Sequence, residues 1–352
     1  MPEEVPRGRL EEDRVLLGSI AVAELYEGGY FGRKVDSRLA LSLVEAAYLM
    51  DRSRIRVSSD GSELDFKGLF ELASSIERGF EFRYVVYKDL RERGYYVQPG
   101  VPDFRVYPRG GHPGKTPAEF YVYVISERTP VPLAKMSEPI RVAGQVRKRL
   151  MIAVVDEESD ITYYEAREKE MSGKGWPGSS GGKATLLEDR VVLWDEEASM
   201  RLHHQGFYGK PVGGRLQLSL VESAYLLDKG LIQMEDREGR SLGEQEFRER
   251  AGRIEADFPM KYGVYRDLRE KDLVVKTGFK FGSHFRVYKQ VESPEKVPHS
   301  EYLVHAVAED YLFHLPVVSR AVRLAHSVRK QMIFAYGMEG DVRYLEIRRL
   351  KP

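Results

Sequence analysis

Cysteine is absent from the 352 residues, which excludes disulfides, thiolate zinc sites, iron–sulfur ligation and a thiol nucleophile. Any chemistry falls to His, Asp, Glu, Ser, Tyr and Lys, and no cofactor is expected. Long apolar runs are also missing. No stretch approaches the roughly 18 uninterrupted apolar residues of a membrane span, and the charged opening MPEEVPRGRLEEDR lacks the apolar centre of a signal peptide. The expectation is a soluble, cytoplasmic protein with no membrane contact. Net charge is absent as well, with 55 basic against 55 acidic side chains. That argues against non-specific coating of nucleic acid but leaves room for a local basic face. What is present can bury a core: 42% of residues are hydrophobic and 31% charged, in a length that implies two or more domains.

The chain is written twice. LALSLVEAAYLMD from Leu39 returns as LQLSLVESAYLLD from Leu216, and YVVYKDLRERG from Tyr84 returns as YGVYRDLREKD from Tyr262, at a stride of 177 to 178 residues. FRVY at Phe104 recurs at Phe285, and VRKRLMIA at Val146 recurs as VRKQMIFA at Val328, now at 181 to 182. A few residues are therefore inserted in the second copy, between Gly278 and Phe285. The first repeat spans 1–168, divided at 1–95 and 96–168, and the second spans 186–352, divided at 186–271 and 272–352. Between them, 169–185 is rich in glycine, serine and proline and reads as a linker. Within it Gly173, Gly175 and Gly178 fit G-x-G-x-x-G, but no strand enters and no periodic helix follows, so a dinucleotide site is not expected.

In each copy SLVEAAYLM or SLVESAYLL has helical spacing, and the YxDLRE segment reads as a helix end before a turn. The second half of each copy reads as a short strand, FRVY, an alternating strand (EFYVYVI or EYLVHAV), a basic amphipathic helix ending in VRK, and two closing strands. The last pair in copy two turns around Gly337 to Gly340, a hairpin signal. The expected class is α/β (α+β): two tandem repeats, each a helix-rich α/β N-terminal subdomain followed by a compact mixed-sheet C-terminal subdomain.

The copies differ where chemistry is at stake. Aligning Glu301 with Glu119 sets His299 opposite Pro117, while Tyr288 matches Tyr107 and Lys330 matches Lys148. Only copy two holds Tyr, His and Lys together. On its own, a tyrosine ending a strand is a packing residue, a histidine after proline is a loop residue, and Lys330 near a helix C-terminus is favoured by the dipole alone.

The run YGVYRDLREKDLVVKTGFKFGSHFRVY, then PHSEYLV, then RLAHSVRK, resembles the archaeal tRNA-splicing endonucleases of the homodimeric type with two tandem repeats per chain. Tyr288 and His299 are 11 residues apart, and His299 and Lys330 are 31 apart. The resemblance implies a nuclease-like C-terminal subdomain, a catalytic triad of Tyr288, His299 and Lys330, and a degenerate, structural first repeat. It further implies a homodimer with two active sites and a precursor tRNA substrate folded as a bulge–helix–bulge. The chemistry agrees. RNA carries its own nucleophile, the 2′-hydroxyl, so cleavage needs a base, an acid for the leaving 5′-oxygen and a cation for the phosphorane. An imidazole, with an ordinary pKa near 6.5, suits the acid, and Lys330 the cation. Tyr288, the family's base, needs neighbouring cations because a phenol ordinarily ionises near 10. The products implied are a 2′,3′-cyclic phosphate and a 5′-hydroxyl.

Arg323 and His326 lie seven and four positions before Lys330, on one helical face, and Arg320 and Arg329 add to a segment without acids from Ser319 to Lys330. Such a face suits phosphate, though a solvated basic face is the plainer reading. The family clamps a splayed bulge base between two arginines. Arg323 matches the first, and Arg343, Arg348 and Arg349 compete for the second, with Arg348 favoured. Asp156, Glu157, Glu158 and Asp160 form an acidic hairpin tip in copy one. A run of this kind is by default a solvated turn, but the family uses an acidic loop of its non-catalytic repeat to join two chains. His203-His204 lacks a third ligand nearby, so no metal site is expected, and the second repeat shows no carboxylate pair for a two-metal nuclease. The rival reading is a non-catalytic RNA-binding or assembly subunit. A metal-dependent DNA nuclease is a distant third.

Overall fold

The computed structural model describes residues 5–175, 181–337 and 340–352. Each repeat opens with a six-stranded sheet. In the first the order is Arg33–Val35, Arg38–Ser42, Arg14–Leu17, Arg7–Glu11, Arg56–Ser59, Ser62–Leu64. In the second, Lys210–Val212, Arg215–Leu218, Val191–Leu193, Lys183–Leu186, Gln233–Glu235 and Ser241–Leu242 repeat that order. These N-terminal parts are thus mixed sheets with helices laid on them, the expected α/β units, with strands whose number and order the sequence does not show. Strands such as RKV and RGRLE are too short and too charged to show a period. The helices are where the spacing put them: Leu43–Asp51 and Leu220–Asp228, then Phe80–Glu92 and Phe258–Glu270 carrying the YxDLRE segments.

The first pair of helices starts on a capping box. Ser42 caps the Glu45 amide and Glu45 reaches back to the Ser42 amide, and Ser219 with Glu222 does the same. Both carboxylates are buried, and each accepts a further bond, from the Gly32 amide at 2.8 Å or the Gly209 amide at 3.0 Å. These glycines have φ of +69° and +58°, and a Cβ on either would meet a backbone carbonyl at 2.6 or 2.7 Å, so no larger residue fits.

The C-terminal halves of the two repeats make one sheet of ten strands. Its order is Val274–Thr277, Phe285–Tyr288, Tyr302–Ala306, Gln331–Tyr336, Arg343–Leu350, Ile161–Glu168, Arg149–Val155, Phe120–Ser126, Phe104–Val106, Val97–Pro99. The halves meet where Arg343–Leu350 pairs antiparallel with Ile161–Glu168. Leu133–Gln145 and Leu315–Ser327 cover one face of this sheet. In the latter helix Leu315, Val318, Val322 and Ala325 form the buried stripe. A single apolar core, including Ile140, Val154, Leu303, Val322 and Phe334, draws on both repeats. Among the described residues no helix is long and apolar enough to cross a membrane.

The described part of the connector is docked rather than free. Met171 is buried in the second repeat's core, and the Gly173 amide donates to the Lys271 carbonyl at 2.8 Å. A Cβ on Gly173 would lie 1.9 Å from the Asp272 carbonyl oxygen, so glycine here permits close approach instead of slack. The strand Lys183–Leu186 begins inside the segment that reads as linker. Gly178 of the glycine motif lies outside the described residues, as do residues 338–339 of the final hairpin turn.

Candidate active site

Tyr288 ends the strand Phe285–Tyr288, and Val287, Tyr302 and Gln331 lie side by side on three adjacent strands. The next residues out along those strands are Tyr288, Glu301 and Lys330. Hydrogen bonds stitch this row: the Lys289 amide to Glu301 Oε2 at 3.0 Å, the Gln331 amide to the Glu301 carbonyl at 2.9 Å, and Lys330 Nζ to the Ser300 carbonyl at 3.0 Å. His299 is exposed on the loop next to Ser300. The structure therefore gathers the elements bearing Tyr288, His299 and Lys330 at one end of three adjacent strands.

Lys330 does not sit in the last helical turn. The helix ends at Ser327, Arg329 adopts φ +56°, and the Lys330 amide closes back to the Ala325 carbonyl at 2.8 Å. Arg147 repeats the same left-handed turn at φ +54°, with the Lys148 amide on Ala143. This turn parts Lys330 from its helix. Arg323 and His326 instead line a concavity of about 180 Å³ with Ser319, Thr162, Tyr164 and Arg349, while Lys330 Nζ lies 5.7 Å from the Phe281 ring.

Arg348 faces the other way. Its Nη2 reaches Glu165 Oε2 at 2.8 Å, beside Arg149 Nη2 at 2.6 Å on the same buried carboxylate. Burial pushes the Glu165 carboxyl up, but bonds from Arg149 and Arg348 outweigh it and hold the group below its ordinary value. The strand alternation that spends Arg348 at the seam turns Arg349 toward Arg323. Arg349, left open as an alternative, is the arginine that shares the concavity.

The site also holds groups that sequence reasoning missed. Arg286 precedes Tyr288 by two, on the same strand face, with its guanidinium 5.9 Å from the Tyr288 ring. Its Nε is buried without a hydrogen-bond partner. Burial holds the Tyr288 phenol above its ordinary value, Arg286 lowers it and Glu301 raises it. Burial and Arg286 together hold Lys330 below its ordinary value against Glu301. The period of two in FRVY could have pointed to Arg286.

In the first repeat the Tyr107 hydroxyl donates to Gln98 at 2.7 Å, and Arg149 ties Glu119, the match of Glu301, at 2.7 Å. No such bond engages the Tyr288 hydroxyl among the described residues. The acidic tip is partly spent as well. Asp156 Oδ1 accepts from the Glu158 and Asp160 amides at 3.0 and 2.9 Å, and Glu157 pairs with Arg128 at 2.6 Å. Glu158 and Asp160 are exposed. His203 Nδ1 contacts the Tyr208 carbonyl at 2.8 Å, and His204 lies 3.3 Å from Glu295. No group of three or more His, Asp or Glu able to hold a metal occurs among the described residues.

A ten-stranded sheet built from two copies of one unit, with the elements bearing Tyr288, His299 and Lys330 together at one end of three strands of the second copy, defines a duplicated α/β protein. The model of the tRNA intron endonuclease N-terminal domain matches residues 7–70 and 182–248, and that of the catalytic C-terminal domain matches 80–163 and 258–344. The chain is 55% identical over 347 residues to a tRNA-splicing endonuclease of Methanosarcina acetivorans, covering 97% of this chain and 99% of that one. It is 53% identical over 350 residues to that of Methanococcoides burtonii, at 98% and 99% coverage, and 38% identical over 366 residues to that of Halobacterium salinarum, at 98% and 99%. The chain belongs to the tRNA intron endonuclease family, and it is an enzyme.

Proposed function

We propose that the second repeat, 186–352, cuts precursor tRNA at bulge–helix–bulge sites by metal-independent transesterification, and that the first repeat, 1–168, is its structural partner. Tyr288 takes the proton of the 2′-hydroxyl, and the bond from O2′ to phosphorus forms. The bond from phosphorus to O5′ then breaks as His299 protonates the leaving oxygen. Lys330 neutralises the phosphorane between these steps. The ends left are a 2′,3′-cyclic phosphate and a 5′-hydroxyl. The observation that carries the reading is the row of Tyr288, Glu301 and Lys330, tied to the Ser300 carbonyl beside His299, against a first repeat with Pro117 in place of the imidazole.

Arg323 and Arg349 are the better pair for a splayed bulge base, because they share one concavity while Arg348 is held by Glu165. The working unit is a homodimer joined through the acidic tip, in the cytoplasm. The test is cleavage of a bulge–helix–bulge RNA in excess EDTA, with the ends analysed. The wild-type chain should give cyclic phosphates, and His299→Ala should be slower by about 10²- to 10⁴-fold. Binding without cleavage would make the chain a non-catalytic subunit, and full activity in His299→Ala would remove His299 as the acid.

A further inference from the structure

The segment between Gly278 and Phe285 is FKFGSH in the second repeat, where the first has VPD between Gly100 and Phe104. The insertion thus lies in the repeat that carries the site. It folds into a single tight turn, Phe279–Phe281, closed by Gly282 at φ +62°. The Gly278 amide donates to the His284 carbonyl at 2.9 Å, the Phe281 amide to Gly278 at 2.8 Å, and the Gly282 amide to Phe279 at 3.0 Å. Ser283, buried beneath, donates its hydroxyl to the Phe285 carbonyl at 3.2 Å. The two rings of the turn part company. Phe281 packs against the shared core with its ring 5.7 Å from Lys330 Nζ. Phe279 is 86% exposed.

We propose that Phe279 is a stacking platform for an unpaired RNA base next to the scissile phosphate. The inference rests on the reading of Lys330 and its neighbours as the cleavage site. A stapled turn fixes the backbone beneath the ring before the substrate arrives, so the entropy lost on stacking is confined to the side chain. The turn carries and abuts cations, with exposed Lys280 following Phe279 in the chain and Lys330 against Phe281, which favours a polyanion over an apolar protein surface. Single-stranded bases offer a π-face whatever their identity, and removal of one aromatic platform costs roughly 5- to 150-fold in affinity. In the first repeat the exposed residue that opens the segment is Val101, which has no ring to offer.

The test uses the full chain in EDTA and a bulge–helix–bulge RNA carrying 2-aminopurine at each bulge position in turn, with His299→Ala keeping the RNA intact. Binding should quench the fluorophore at one position. Adding Phe279→Ala should abolish that quench and weaken binding about tenfold, Phe279→Trp should restore both, and Phe279→Leu should not. The salt dependence should stay unchanged, since no phosphate contact is lost. Wild-type affinity and quench in Phe279→Ala would overturn the proposal, as would an altered sedimentation profile at unchanged affinity, which would assign the ring to a second copy of the chain. Failure of the wild-type chain to cleave would sink the underlying site. Wild-type cleavage with an unaffected Phe279→Ala would sink only the stacking.

Discussion

Arg348 and Arg349 differ by one step along a strand, and that step decides what each does. Arg348 shares the buried Glu165 with Arg149, at 2.8 and 2.6 Å, while Arg349 lines the concavity with Arg323 and His326. Arg348→Ala should lower stability by about 1 kcal/mol, because Glu165 keeps Arg149 and the lost guanidinium is half solvated. Cleavage should hardly change. Arg349→Ala should leave the urea midpoint alone and raise KM for bulge–helix–bulge RNA about tenfold. Denaturation beside steady-state kinetics on both variants checks this, and the reverse pattern would restore Arg348 to the RNA. The sequence could not choose between them, because a period of two makes the choice depend on register. The contrast between the copies singled out His299, opposite Pro117, whereas Tyr288 and Lys330 match Tyr107 and Lys148 and were named through the family resemblance. The period of two in FRVY could have pointed to Arg286, whereas Glu301 could not be found, since its part depends on which strands lie alongside.

At the scale of elements, the inserted turn ends on His284, whose ring stacks on His305 with centroids 4.3 Å apart. His284 Nδ1 accepts the Ala306 amide at 3.0 Å. The bond demands an unprotonated nitrogen, and the surroundings agree. Burial, His305 and Lys261 pull the His284 pKa down to about 4, against an opposing pull from Asp257, and burial and Lys261 lower His305 too. Between about pH 6.5 and 4 the unfolded chain takes up a proton here that the folded chain refuses, so stability falls as pH falls through that window. The His284 contribution is about 2 kcal/mol by pH 5. In His284→Asn, whose amide oxygen can accept the same bond, the drop in unfolding free energy between pH 7.5 and 5 should be smaller by that amount. Equal drops in both proteins would show that this ring does not set the acid sensitivity. Elements of this kind were unevenly readable. The helices declared themselves by their period, whereas three-residue charged strands carry no period and emerge only from their neighbours.

At the scale of the molecule, duplication was legible from the stride of the repeats, but the joining of the two halves was not. The seam depends on pairing two strands far apart in the chain, which places Glu165 opposite Arg348, 183 residues on, and Arg167 opposite Glu346, 179 residues on. Both pairs form ion bridges, at 2.8 and 2.7 Å, onto carboxylates 3% and 1% exposed. Each repeat thus supplies one acid and one base to the other. The proposed homodimer would add an interface of a different kind, solvated and charged. Within the acidic tip, Asp156 shapes its own turn and Glu157 is engaged by Arg128, which leaves Glu158 and Asp160 to meet a second chain. Neutralising these two, as Glu158→Gln with Asp160→Asn, should weaken dimerisation about tenfold near 0.1 M salt, where the screening length is about 10 Å, and make little difference near 1 M, where it is about 3 Å. Asp156→Asn should act through the turn and be insensitive to salt. Sedimentation equilibrium across that salt range separates the cases: an unchanged association constant in the double variant at low salt would mean that the acidic tip is only a solvated turn.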